Sequence, residues 1–227
     1  MVLPATIVIS LLIIILLILQ PQTKSSRAIK SATDKSIAVL PFANLSNDPE
    51  QEYFSEGMVD EIIDRLFRIG ELKVISRTTS MNYKNSTLSL KDIAHELNVS
   101  AILEGSVRKM GNNVRITVQL SAAGADTPLW SEIYARNISD IFSIQSDVAQ
   151  NVAKGLKAVI KPEEKNQIEK VSSENLEAYD YYLLAGYLRS QRTPEALWKA
   201  KNMYEKAIEA DPGFAKAYTG LATCYGT

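Results

Sequence analysis

The chain opens on an unbroken apolar stretch and then alternates between two shorter hydrophobic periods. From Val2 to Leu19 only Thr6 and Ser10 are polar, and about 18 apolar residues is the shortest run that crosses the hydrocarbon of a bilayer. Residues 1–20 are therefore expected to form a transmembrane anchor. A cleaved signal peptide is the rival reading, but no Lys or Arg stands before the run and no Ala-x-Ala site follows it. A lipoprotein would need a cysteine after the run, and none is there. Residues 21–35 turn polar, with Pro21 and a mixture of Ser, Thr and Lys, which predicts a flexible linker. Lys24, Arg27 and Lys30 all follow the apolar run, and by the positive-inside rule they favour the cytoplasmic side for what comes next.

Residues 36–160 carry the pattern of an α/β domain. Ile37 to Leu40 is a short branched run stopped by Pro41, the mark of a buried strand. Asn44 to Glu52 is polar and predicts a loop. Val59, Ile62, Ile63, Leu66 and Phe67 recur at helical spacing and predict a helix ending near Gly70, with Glu61–Arg65 and Asp64–Arg68 at the supportive i,i+4 spacing on its outer face. Leu72 to Ser76 predicts a second strand, Leu90 to Leu97 a short helix and Ala101 to Lys109 a third strand. Val114, Ile116, Val118 and Leu120 alternate with Arg115, Thr117 and Gln119, the period of a half-buried strand, and Gly111-Asn112-Asn113 supplies the turn of a hairpin. Leu129 to Ala135 predicts a fifth strand. Ser139 stands where it could cap a helix whose inner face holds Ile141, Ile144, Val148, Val152 and Leu156. The expected architecture is a mixed five-stranded sheet with covering helices, its strand order open.

Residues 174–227 are helical in period and repeat. Tyr181, Leu184 and Ala185 take the large, apolar and small positions of the first helix of a tetratricopeptide (TPR) unit, and Ala200, Tyr204, Ala207 and Pro212 take those of its second helix. Tyr218, Leu221, Ala222 and Tyr225 begin another first helix at the right spacing. Singly, each is an ordinary packing residue; the order of the set makes it a repeat. Such units need about three copies to bury their faces, so further helices, from a parent protein or a partner, are expected beyond this partial array.

Composition narrows the possible functions. Hydrophobic residues make up 46% and charged residues 22% of the chain, which predicts a folded protein. With 25 basic against 26 acidic side chains, nothing resembles the positive footprint that a phosphate backbone requires, and nucleic acid is not an expected partner. One cysteine, Cys224, and one histidine, His95, cannot build a disulfide or a Cys/His zinc site. There is no P-loop, no Gly-x-Ser-x-Gly elbow and no dinucleotide fingerprint; no catalytic residue, cofactor or metal is expected. Gly105 and Gly111 read as a close packing contact and a turn. Acidic side chains cluster at Asp48, Glu50, Glu52, Glu56, Asp60 and Glu61. Their spacing fits no EF-hand loop, and a solvated loop leading into a helix N-terminus, where the dipole favours carboxylates, accounts for them. The loop bearing Asn44, Asn47, Asp48, Glu50, Glu52 and Glu56 follows a strand end, where open α/β sheets tend to bind ligands, and is the expected partner-binding surface.

Several blocks, in order, resemble one family: SIAVLPFANLSNDPEQEYFSEGMVDEII from Ser36 to Ile63, VISRT from Val74, LEGSVRK from Leu103, VRITVQL from Val114 and the Leu129-Trp130 pair. They are similar to the TolB-like, also called FlgO-like, N-terminal domain family, over about Ser36 to Lys157. In that family an acidic residue usually stands between the aromatic and the arginine after strand five; here Ala135 lies between Tyr134 and Arg136, so no charge-dependent role is carried over to that position. The resemblance implies a TolB N-terminal-domain-like fold preceding tetratricopeptide repeats, in a single-pass protein of the bacterial inner membrane whose soluble part is periplasmic, against the vote of the flanking charges. It further implies a non-catalytic interaction or assembly module with protein or peptide partners. An alternative comes from the same resemblance, because such domains are often fused to adenylate or guanylate cyclases or to winged-helix transcription regulators. The chain would then be the sensory half of a signalling protein, without its catalytic or DNA-binding domain.

Overall fold

The computed structural model describes residues 35–46, 48–124 and 127–225. The expected anchor and nearly all of the linker lie outside them, and among the described residues no helix is long and apolar enough to cross a membrane.

The centre of the fold is a mixed sheet. β1 (Ser36–Val39) is buried at every position and pairs in parallel with β3 (Lys73–Val74) on one side and with β4 (Ala101–Met110) on the other. β5 (Asn113–Ala122) and β6 (Pro128–Asn137) extend it antiparallel, giving the order β3-β1-β4-β5-β6. Met110 pairs with Asn113, so the hairpin turn is Gly111 and Asn112, with Gly111 at φ 57°, where a side chain would be strained. The sheet has a sixth strand, not five. β2 (Ala43–Asn44) continues beside β4 where β1 leaves off, inside a segment whose polar character predicted a loop. Pro41 has no N–H for the ladder, so β1 stops before it. The register then advances from Val39–Leu103 to Ala43–Ser106, one residue more on the proline strand than on its partner. Pro49–Gln51 next forms a 3-10 turn capped by Asp48.

Helices cover one face from β3 to β5 and leave the β6 margin of it exposed, and they cover the other face in part. α1 (Glu52–Phe67) and α4 (Ile141–Gly155) set Val59, Ile62, Leu66, Ile144, Val148 and Val152 on Ile37, Val39, Leu103, Ile116 and Leu120. On the opposite face, α2 (Arg77–Met81) and α3 (Leu90–Leu97) lie at the β1 end, and Ile93 and Ala94 of α3 pack on Ala38, Leu40 and Ile102. The rest of that face is open. Ser139 does not cap α4: the Asn137 side-chain oxygen accepts from the Ser139 N–H at 3.0 Å and closes a 3-10 turn, so α4 starts after Asp140.

After α5 (Pro162–Glu169), a helical hairpin of α6 (Leu176–Ser190) and α7 (Pro194–Ala210) docks on α1, followed by α8 (Ala215–Thr223). Asn175 caps α6 and Thr193 caps α7, with Pro194 at its first position. Gly57 lets the two elements approach: a Cβ there would lie 2.7 Å from the Leu183 side chain. Tyr179 and Leu183 of α6 join the same core as α1 and α4.

This docking overturns the expected outer face of α1. Glu61 and Arg65 are each 3% exposed and do not serve as a solvent-side i,i+4 pair. Lys216 of α8 donates to Glu61 and to Asp64, both at 2.8 Å. Arg65 donates to the Ile168 carbonyl and, at 3.1 Å, to the Gln145 side-chain oxygen, while the Gln145 amide nitrogen is 2.6 Å from the Tyr179 hydroxyl. Phe67, expected inside, is 55% exposed; Asp64–Arg68 forms as expected, at 3.0 Å. Replacing Arg65 by Met would strand the Gln145 oxygen and leave the Ile168 carbonyl with the Ser146 hydroxyl alone. Arg65→Met is expected to lower stability by about 2–4 kcal/mol, measured as a shift in the urea midpoint followed by far-UV circular dichroism.

Candidate functional site

The segment from Arg77 to Leu90 folds over the end of β1, and its local chemistry shows why. Ser76 caps α2 by accepting from the Thr79 N–H, and Ser89 caps α3 by accepting from the Asp92 N–H. Between them Asn85 turns the chain with φ 60°, a conformation asparagine tolerates better than most residues. Two cations fasten this segment to α1. The Arg77 guanidinium meets Glu56 at 2.9 Å and also bonds Asp60, and the Lys84 ammonium meets Glu52 at 2.8 Å and Glu56 at 2.7 Å.

The strap and the strand end enclose a cavity of about 660 Å³. Its floor is apolar, from Leu40, Phe42, Leu90 and Ile93, and its walls carry Glu52, Lys84 and Glu104. Gly105 is required here: a Cβ would collide with the Thr117 carbonyl oxygen and press on the Phe42 ring, as the close-packing reading of this glycine expects. Leu88, 45% exposed, stands on the rim with Asn85 and Ser86.

The electrostatics are specific. Burial pushes the Glu104 carboxyl above its ordinary value, and the Gln119 amide donates to it at 3.1 Å. Burial works to lower the Lys84 pKa, but its bonds to Glu52 and Glu56 outweigh that and hold the ammonium above its usual range. Lys84 is thus engaged by two carboxylates, and with Glu104 the walls are net acidic. Such a site suits a small or extended ligand with an apolar part and a donor-rich or cationic group. Of the hydroxyl groups lining it, that of Tyr83 donates to the Glu96 carboxylate at 2.9 Å. Among the described residues, no group of three or more His, Cys, Asp or Glu side chains is placed to hold a metal ion.

The expected binding loop divides between two places. Asn44 and Glu52 line the cavity, with Asn44 forming an Asx turn to the Ser46 N–H at 2.9 Å. Glu56 lies behind the wall, bound to Lys84. Asp48 caps the 3-10 turn and faces Lys109 and Gly111 across a separate depression, and Glu50 is exposed. Asn47 lies outside the described residues. The solvated reading of the acidic cluster holds for Asp48 and Glu50 but not for Glu56, Asp60 and Glu61, which are ion-paired. Of the repeat residues, Ala185, Ala200 and Tyr204 pack together and Ala207 is buried. Tyr181, Leu184 and Leu221 are half-buried, while Pro212, Tyr218, Ala222 and Tyr225 are exposed. Lys84 had no signal in the sequence, and Arg77 and Glu104 stood in the family-like blocks with no role assigned, because their partners are distant along the chain.

Burial raises the Asp60 carboxyl, helped by Glu56 and Glu61 and opposed by Arg77, from 3.8 to about 6. Between those values the folded protein binds a proton that the unfolded chain does not. The Asp60 contribution is therefore present in acid and lost as pH rises through about 6. The stability of Asp60→Asn relative to wild type is expected to improve from pH ~4 to pH ~7 in paired urea titrations. An unchanged difference would show that Asp60 titrates normally.

Against known proteins, residues 33–151 match the family described as HilA/YgeH-like transcriptional regulator, second domain. A protein of Rhizobium meliloti (strain 1021) named "Putative adenylate cyclase 3" is 36% identical over 187 residues, covering 82% of this chain and 32% of that protein. The chain thus spans about a third of the length of this curated relative. Among solved structures, TolB from Acinetobacter baumannii aligns with 58% of this chain and 30% of its own, at 16% identity and a TM-score of 0.42. The LpoB C-terminal domain from Escherichia coli aligns with 48% of this chain and 87% of its own, at 16% identity and a TM-score of 0.37.

Proposed function

The chain belongs to the family of HilA/YgeH-like transcriptional regulators, through their second domain, and from that premise we propose that it is the sensing and partner-binding part of a larger regulatory protein, without catalysis of its own. The observation that carries this is the strapped cavity at the end of β1, which has an apolar floor and acidic walls. A regulator family and a cyclase-named relative about two and a half times as long both fit a module that reports to an effector lying elsewhere.

The finer organisation follows the same reading. Residues 1–20 anchor the protein in the inner membrane, 21–35 tether it, 36–160 form the sensing domain, and 174–227 begin a tetratricopeptide array that offers its surface to a protein or peptide. The close packing of Ala185, Ala200 and Tyr204 supports the array, since small residues at those positions let paired helices approach. The body lies in the periplasm.

Two experiments test this. Ala43 is exposed on the cavity wall, and Ala43→Trp is expected to fill the cavity with little change in melting temperature. In cells carrying it in the chromosomal copy, transcript and cyclic-nucleotide levels should reproduce those of a deletion. A deletion that alters neither quantity rules out the regulatory role, and an Ala43→Trp strain that matches wild type while the deletion does not rules out the cavity. For location, Asn112 is exposed at the hairpin turn. In a Cys224→Ser, Asn112→Cys variant, labelling by an impermeant thiol reagent after opening only the outer membrane is the expected result; protection until the inner membrane is lysed puts the body in the cytoplasm.

A further inference from the structure

Among the described residues β6 forms one edge of the sheet and pairs with β5 alone. It runs for ten residues with proline only at its first position and carries no lysine. Edge strands are commonly kept from pairing by brevity, proline, charged side chains or a bulge; β6 has its proline and a bulge only at its start, near Leu129, and its two charges, Glu132 and Arg136, are of opposite sign. The Ile138 N–H donates to the Asn112 carbonyl at 2.8 Å, next to the Asn113–Asn137 pair, which sets the parity. Glu132, Tyr134 and Arg136 turn their backbone toward β5, while Ser131, Ile133, Ala135 and Asn137 turn theirs outward.

We propose that β6 pairs antiparallel with β6 of a second copy of this chain, joining two sheets into one about a twofold axis at Tyr134. The charges of the strand select this occupant and this register. With Tyr134 opposite Tyr134, Glu132 faces Arg136 of the second copy, and the reciprocal pair forms on the other side of the axis. Both fall at non-hydrogen-bonded positions, where facing side chains are nearest. Sliding the register by two residues puts Arg136 opposite Trp130, or Glu132 opposite Ile138, and the complementarity is lost. Parallel stacking in register would set Glu132 on Glu132 and Arg136 on Arg136. The pairing therefore closes as an isologous dimer and does not grow into a fibre.

Glu132 is exposed and has no ion-pair partner among the described residues. The Arg136 side chain is 42% exposed; it stacks on Tyr134, donates to the Ser143 hydroxyl at 3.4 Å and pairs with Asp147 at 3.7 Å, long contacts that leave it within reach of a second carboxylate. On the opposite face Ile133, 50% exposed, would lie beside Ala135 of the second copy.

The test is sedimentation equilibrium of the full chain in a mild non-ionic detergent, with far-UV circular dichroism as the check on folding. The wild type should be a dimer. E132R and R136E should each be monomeric, because each places like charges opposite one another, and E132R/R136E should be dimeric again. Ile133→Pro, which removes an outward N–H and no bond to β5, should be monomeric. A monomeric wild type, dimeric single swaps, a monomeric double swap or a dimeric Ile133→Pro variant each overturns the proposal. Dimers insensitive to every substitution would place the contact elsewhere in the chain.

Discussion

Arg65 is the point at which three parts of the chain become one body. Its guanidinium has left water, and burying such a charge is tolerated only where its donors are met. The Ile168 carbonyl and the Gln145 side chain meet its two terminal nitrogens, while its Nε is buried with no partner among the described residues; Gln145 passes the connection to the Tyr179 hydroxyl. The connection after α4, helix α4 itself and the helical hairpin are all fixed to α1 through this group. Around it the packing is apolar and close, with Gly57 against Leu183 and Phe142 edge-on to Tyr179 at 4.7 Å between ring centres. Docking by hydrophobic area alone would permit sliding along α1; the hydrogen bonds specify one seat.

The cavity obeys the same logic at the other end of α1. The strap from Arg77 to Leu90 contributes little apolar area of its own, and it is held by charge, with Arg77 and Lys84 gripping carboxylates on successive turns of the helix. Carboxylates that the helix dipole alone would welcome as solvated groups are here consumed by specific partners. This explains both the shape of the pocket and its net acidity, because Lys84 is neutralised while Glu104 is not.

Much of the fold was legible in the sequence wherever a local period decided it. The alternation from Val114 to Leu120 produced β5 and its hairpin, and the spacing from Ile141 to Val152 produced α4, because burial on one face follows directly from those patterns. What was hidden depended on non-local facts. Glu61 and Arg65 have the spacing of a surface pair, and only the arrival of Tyr179 and Lys216 buries them. β2 is two residues paired to a strand more than sixty residues away, too short to leave a period. Of the candidate site, the position beyond the first strand was readable from topology. Its chemistry was not, since Lys84 sits in a segment with no motif, the block that holds Glu104 assigns it no role, and the two meet only in three dimensions.

The shared core has a bearing on how such a protein could have been assembled. The family match ends at residue 151, inside α4 (Ile141–Gly155), whereas the groups that seal α1 include Ile168, Tyr179 and Leu183, well beyond that point. A gene fragment cut where that family match stops would encode a body with one flank of its central helix bare. The piece that recombination can carry intact between architectures is therefore longer than the family match outlines, in keeping with the 187 residues shared with the Rhizobium meliloti protein, and any new neighbour fused closer than α6 would have to bring its own cover for that flank.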